Sequence, residues 1–187
     1  GHLFTCKIVD DHPKKTALEV QKKEFHPSTL KREIHIAIAP TKGNDRFEWF
    51  VEKAVEIGVG SITPIITAHS ERFKLKPERA RKVCVSAMKQ SNRYHLPQIN
   101  DVMTLEDFIK MDQSATKTIA HCEESQKTEL KDLQLSNSVS LLIGPEGDFS
   151  PSEIDLCTSG GYVPVSLGAS RLRTETAGIV GCTILNL

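Results

Sequence analysis

Apolar and polar positions trade places every residue or two along residues 3–9 and 16–20, a pattern that predicts two short strands. The turn formers Asp10-Asp11-His12-Pro13 lie between them, so the pair reads as a hairpin. Two strands cannot bury a core alone, and these look like the end of a small β domain whose beginning is absent. The polar stretch 21–32 is predicted as a linker.

From Glu33 onward, short continuous apolar runs alternate with runs of helical period. Residues 34–39 (IHIAIA) suit a buried strand. Phe47, Phe50, Val51, Ala54 and Val55 then recur as one helix face, capped by Asn44 or Asp45 and stopped at Gly58. Residues 61–66 read as the next strand, where Pro64 hints at a sheet edge or a strand end. Pro77 suits the first turn of a helix running to about Asn92, with Ala80, Val83, Cys84, Ala87 and Met88 inward. A short helix over 105–111 and strands over 118–122 and 139–144 follow. Ser150-Pro151-Ser152-Glu153 combines an N-cap, a Pro at the first helical position and a capping-box Glu, and Gly160-Gly161 ends that helix. A strand over 162–168 and a closing helix over 174–187 complete the alternation, which means a parallel sheet covered on both faces.

In such sheets ligands bind beyond the carboxyl ends of the strands. Two of the loops there are rich in chemistry. In Ile143-Gly144-Pro145-Glu146-Gly147-Asp148-Phe149, the glycines allow positive φ and close approach to a ligand. A plain strand-to-helix turn would use the same residues. The loop 166–177 gathers Arg171, Arg173, Thr174, Glu175 and Thr176 beside Gly168, and could serve a ligand or an ion pair with helix capping by Thr174. Neither a dinucleotide fingerprint nor a P-loop occurs.

Composition changes this picture only in part. With 187 residues, 39% hydrophobic and 26% charged, the chain is an ordinary globular protein without a bilayer-spanning run. It opens on Gly1-His2-Leu3-Phe4, without an initiator Met and without the pattern of a signal peptide, which reads as a truncated or tagged start. Five scattered cysteines and seven scattered histidines lack metal-ligand spacing, so a reducing, cytoplasmic setting and no metal are expected. Net charge is zero, but the segment from Glu71 to Arg93 holds eight cations against two acids. Such a local basic field suits a polyanion, although a solvated helix face would look the same.

The pair IGPEGDFSPSE and VSLGASRLRTETA resembles the C-terminal signature of the RsmE family, the 16S ribosomal RNA uracil-N3 methyltransferases of the SPOUT superfamily. Residues 42–65, SERF (70–73) and KQSNRYHLPQI (89–99) resemble its other shared blocks, so the similarity covers roughly 34–187. The resemblance implies an α/β methyltransferase domain over 31–187 with a C-terminal trefoil knot, preceded over 1–30 by a remnant of a PUA-like RNA-binding β-barrel and a linker. It implies S-adenosylmethionine in the knot, held by Ile143, Gly144, Glu146, Gly147, Leu167, Gly168 and Leu172. It also implies a homodimer with sites at the subunit interface. Two positions depart from the family pattern: Asp148 stands where it usually has Gly, and Ser170 where many members have Arg.

Uracil N3 carries a proton at neutral pH, so methylation there needs a proton acceptor or cations that stabilise the anion. Arg173 is expected to stabilise charge, with Glu175 orienting it or relaying the proton. The target base must be unpaired or flipped. Arg72, Gln90, Arg93 and Arg171 are expected to meet the RNA of the small ribosomal subunit. Two rival readings are a knotted RNA-binding module without catalysis and a flavodoxin-like protein using the GPEG turn for a phosphate.

Overall fold

The computed structural model describes residues 1–124 and 126–187. Strands β1 (His2–Asp10) and β2 (Ala17–Phe25) pair antiparallel, with His2 opposite Phe25 and Asp10 opposite Ala17. Residues 21–25, expected in the linker, are therefore strand. Their alternation is masked by charge, because neither face of this hairpin is buried within the chain.

The remainder runs β3 (Glu33–Ile38), α1 (Asn44–Ile57), β4 (Ser61–Ile66), α2 (Pro77–Gln90), β5 (Gln98–Ile99), β6 (Met103–Thr104), α3 (Leu105–Met111), β7 (Thr116–Ala120), β8 (Thr128–Glu129), a 3-10 turn (Leu130–Asp132), β9 (Ser138–Ile143), α4 (Pro151–Ser159), β10 (Val163–Ser166) and α5 (Thr174–Asn186). The sheet is parallel in every described pairing, in the order β5-β4-β3-β9-β7-β10-β8, with β6 continuing beside β4.

Ile34, Ile36 and Ile38 of β3 join Val139, Leu141 and Ile143 of β9 under α1, α2 and α5. The intervening residues Ala37 and Leu142 pack on the other face with Phe108 of α3 and Cys157 of α4. Both faces are covered, which is why these strands read as continuous apolar runs rather than alternating ones. Each large core side chain contributes about 1.5–3 kcal/mol by leaving water. Helix α5 lies close over this layer because of two glycines. A Cβ at Gly178 would fall 2.6 Å from the Phe50 ring, and one at Gly181 would fall 2.3 Å from Leu141.

Local signals fare unevenly. The capping box at α4 forms as expected, Ser150 N–H donating to Glu153 at 2.8 Å and Glu153 N–H to Ser150 Oγ at 3.3 Å. Helix α1, in contrast, is capped by Gly43 without a side-chain bond, not by Asn44 or Asp45, which are already helical. Pro64 does not end its strand, but its outer side is a local edge. It pairs with Ile38 on one side, and on the other falls between the stretches of β4 that meet β5 and β6, where its missing N–H interrupts no ladder. Thr174 does not cap α5: Arg173 occupies that position and makes no capping bond.

Candidate active site

Since the sheet is parallel, the segments following β3, β4, β7, β9 and β10 all emerge at one edge. Three of them, through residues 120–122 and 127, 143–146 and 148, and 165–174 and 177, surround a cavity of about 720 Å³. That volume suits a small-molecule ligand, since such sites span about 300–1,000 Å³. The two loops that the sequence singled out are thus brought together.

The turn after β9 is braced from several sides. Neither Gly144 nor Gly147 has positive φ; the left-handed position is Asp148, at φ 63°. Its side chain makes that conformation useful. One carboxylate oxygen accepts the Cys122 N–H at 2.6 Å and the other its neighbour Phe149 N–H at 2.8 Å. Asp148 therefore ties the wall at Cys122 to the turn after β9, a link that a glycine could not make. Glu146 reaches sideways and accepts the Lys42 N–H at 3.2 Å, which fixes the turn to the start of α1. His69 Nδ1 lies 3.0 Å from the carbonyls of Gly147 and of Asp148.

The loop after β10 is open by comparison. Ser166 Oγ accepts the Gly168 N–H at 3.1 Å, and Gly168 has φ 120° with no atom within 4 Å of where a Cβ would stand. Arg171 and Arg173 are exposed and line the cavity, while Val165, Ile143, Leu167, Leu172 and Ala177 give it an apolar side.

Of the expected cofactor residues, Ile143, Gly144, Glu146, Leu167, Gly168 and Leu172 line the cavity; Gly147 faces away, against His69. Arg173 lines it too, whereas Glu175 is not on its wall. Glu175 is 6% exposed, one carboxylate oxygen lacks a partner among the described residues, and no ion pair joins it to Arg173. The expected RNA residues separate. Arg171 is at the cavity; Arg72 lines a groove beside α1 and α2; Gln90 is exposed at the end of α2. Arg93 is committed elsewhere, donating from Nε to the Glu56 carbonyl at 3.0 Å and from its terminal nitrogen to that of Ile57, so it caps α1.

Sequence reasoning missed the third wall. His121 lines the cavity, is buried, and has no hydrogen-bond partner for either ring nitrogen among the described residues. Burial, reinforced by nearby Lys127, lowers its pKa, so the ring is neutral at neutral pH. Lys127 Nζ donates to the His121 carbonyl at 2.7 Å. Cys122 lies beside them, its thiol pKa raised by partial burial and by Asp148, which favours the protonated form. Nothing local in AHCEE announced this; the wall exists only because β7 and β9 are neighbours.

An orphaned neutral imidazole, an open glycine and an apolar side fit a cofactor with a flat heterocycle and a cationic centre. The residues able to hold S-adenosylmethionine are Ile143, Gly144, Leu167, Gly168, Leu172 and His121.

Residues 28–186 match the RNA methyltransferase domain family. The ribosomal RNA small subunit methyltransferase E of Rickettsia conorii is 30% identical over 175 residues, which cover 90% of this chain and 68% of the relative. Among solved structures, a probable rRNA-methyltransferase from Porphyromonas gingivalis is 41% identical, with TM-score 0.91 over 97% of this chain and 78% of its own. A putative methyltransferase from Legionella pneumophila, solved with bound cofactor SAM, is 30% identical, with TM-score 0.89 over 98% and 78%. With the shared fold, the shared late motifs and this extent of similarity, the chain belongs to the RNA methyltransferase domain family, among the ribosomal RNA small subunit methyltransferase E proteins.

Proposed function

We propose that this protein transfers a methyl group from S-adenosylmethionine to N3 of a uridine in 16S ribosomal RNA of the small subunit, in the cytoplasm. The observation that carries this reading is the convergence of three loops on one cavity with two arginines at its rim. When bound, the cofactor supplies an electrophilic methyl group on a sulfonium sulfur. The protein's own residues do the rest. The braced turn after β9 and the apolar side hold and dry the site. Arg173 and Arg171 stabilise the uracil anion that forms as the N3 proton passes to water at the open rim, and the anion's N3 then takes the methyl group. Of the two roles the sequence leaves for Glu175, its placement off the cavity wall supports a positioning role at the start of α5 rather than relaying a proton. Arg72, Gln90 and Arg171 are the RNA contacts on this reading, and Arg93 supports them by fixing α1.

The path of the chain supports a trefoil knot. Strand β10 is inserted between β7 and β8, which are themselves joined through 121–127, and α5 then returns to pack on β3, β9 and α1. The reading includes a homodimer with sites at the subunit interface, as the family resemblance implies. The exposed hairpin supports a PUA-like N-terminal domain ending near residue 30, before a methyltransferase domain over 31–187.

Mapping modified nucleotides in cells lacking the gene tests the reaction. A single N3-methyluridine should vanish from small-subunit RNA and return when the gene is restored; unchanged RNA would refute it.

A further inference from the structure

We infer that the groove between α1 and residues 72–77 is a second nucleotide subsite, in which Phe73 stacks on a base adjoining the target and Arg72, Lys74 and Lys76 hold its phosphates. The inference rests on the methyltransferase reading and names how the same RNA is gripped beyond the reacting base.

The segment leaves the carboxyl end of β4, on the same sheet edge as the cofactor cavity. Its base is rigid. Thr67 N–H donates to Ser70 Oγ at 2.9 Å, Ala68 N–H donates to Glu153 at 2.7 Å, and Lys42 pairs with Glu71 at 2.9 Å. Through His69 it is joined to the turn 147–148 that walls the cavity. Its tip is shaped to present an aromatic ring. Arg72 Nε folds back onto the Lys74 carbonyl at 2.9 Å, and Phe73 between them is left 63% exposed.

Beneath the ring lies a groove of about 800 Å³, floored by Phe47, Leu75, Pro77 and Val102. Its walls are cationic. The two acids that line it are both engaged, Glu48 with Arg79 and Asp101 with Arg81 at 3.9 Å. No carboxylate lies within ion-pair distance of Arg72, Lys74 or Lys76 among the described residues. A single exposed Phe is unremarkable by itself. Interleaved with cations over an apolar groove, it matches the chemistry of a single nucleic-acid strand, an aromatic platform for a base flanked by charges for the backbone. A helix from a protein partner would leave those three cations uncompensated, and so fits less well. Stacking on Phe73 requires that base to be unpaired, as the target itself must be for N3 to be reached.

The test compares the full chain with Phe73→Ala, Phe73→Trp and the pair Lys74→Ala/Lys76→Ala. The probes are a labelled oligouridylate and small-subunit RNA from cells lacking the gene. Phe73→Ala should weaken oligouridylate binding roughly ten-fold and raise KM for the RNA while kcat and cofactor binding stay put. Phe73→Trp should retain affinity, its added indole fluorescence quenching as a base stacks. The lysine pair should flatten the salt dependence of binding by about two contacts. Equal affinity for Phe73→Ala and the unaltered chain would overturn the subsite, as would a change confined to oligomeric state or to protein binding. Oligouridylate binding is read without cofactor, so a protein that binds through Phe73 but methylates nothing would sink the reaction and spare the subsite.

Discussion

The two glycine-containing loops that build the cavity differ in how they are held. The turn after β9 is bonded to three other segments through Asp148, Glu146 and the carbonyls that meet His69. The loop after β10 makes a local Ser166–Gly168 contact and carries its arginines outward. Similar composition thus yields a preformed wall and an adjustable rim. The rim, with Arg171 and Arg173 exposed, is the side of the cavity open to a large substrate.

The sharpest way to break this contrast is at the rim. Arg173→Ala should lower methyl transfer by about 100- to 1,000-fold if its charge stabilises the uracil anion, in the range seen for removing one preorganised donor. Single-turnover methylation measures this, and calorimetry with S-adenosylmethionine should change little. Gly168→Ala comes next. A side chain at φ 120° costs about 1–3 kcal/mol, so cofactor affinity should fall by roughly ten-fold or more by the same measurement.

The wall is probed through Asp148, with smaller effects. Asp148→Ala keeps the left-handed strain and removes the acceptor of the exposed Cys122 N–H, so stability should fall by about 0.5–1.5 kcal/mol. Asp148→Gly also loses the tie but relaxes the backbone, and should cost less. Asp148→Asn retains an acceptor and should lie nearest the original in thermal unfolding. The opposite order would show that the tie carries no weight.

The mildest effect is in pH. Burial lowers the pKa of His35 and of His121 from 6.5, so the unfolded chain binds their protons first. Stability is therefore complete above pH 6.5 and declines as pH falls below it. His121→Gln should make that decline shallower in denaturant titrations at a series of pH values.

Much of the fold was legible because its signals are local. The start of α4 could be read residue by residue, since Ser150 and Glu153 are three apart and cap each other wherever a helix begins. The longer strands of the sheet stood out as apolar runs. Strands β5, β6 and β8 did not, because two residues carry no period. The Asn44 and Asp45 caps failed for a related reason: Gly43 took the extended position first. Within the site, Gly144, Gly168 and Arg173 were read as residue types suited to ligand and charge, and they line the cavity. Glu175 sits in the same heptapeptide, yet a helix turns successive residues by about 100°, and its side chain is carried inward.

The sequence by itself determined an alternating parallel α/β body, its main elements and the two loops where chemistry would gather, since periodicity and capping act over a few residues. Only the tertiary structure decided that His121 and Cys122 wall the cavity, that Asp148 rather than a glycine takes the left-handed turn, and that Arg93 serves α1. These depend on contacts between residues tens of positions apart, set by which strands become neighbours. No local pattern encodes that order, because it follows from packing the whole sheet at once.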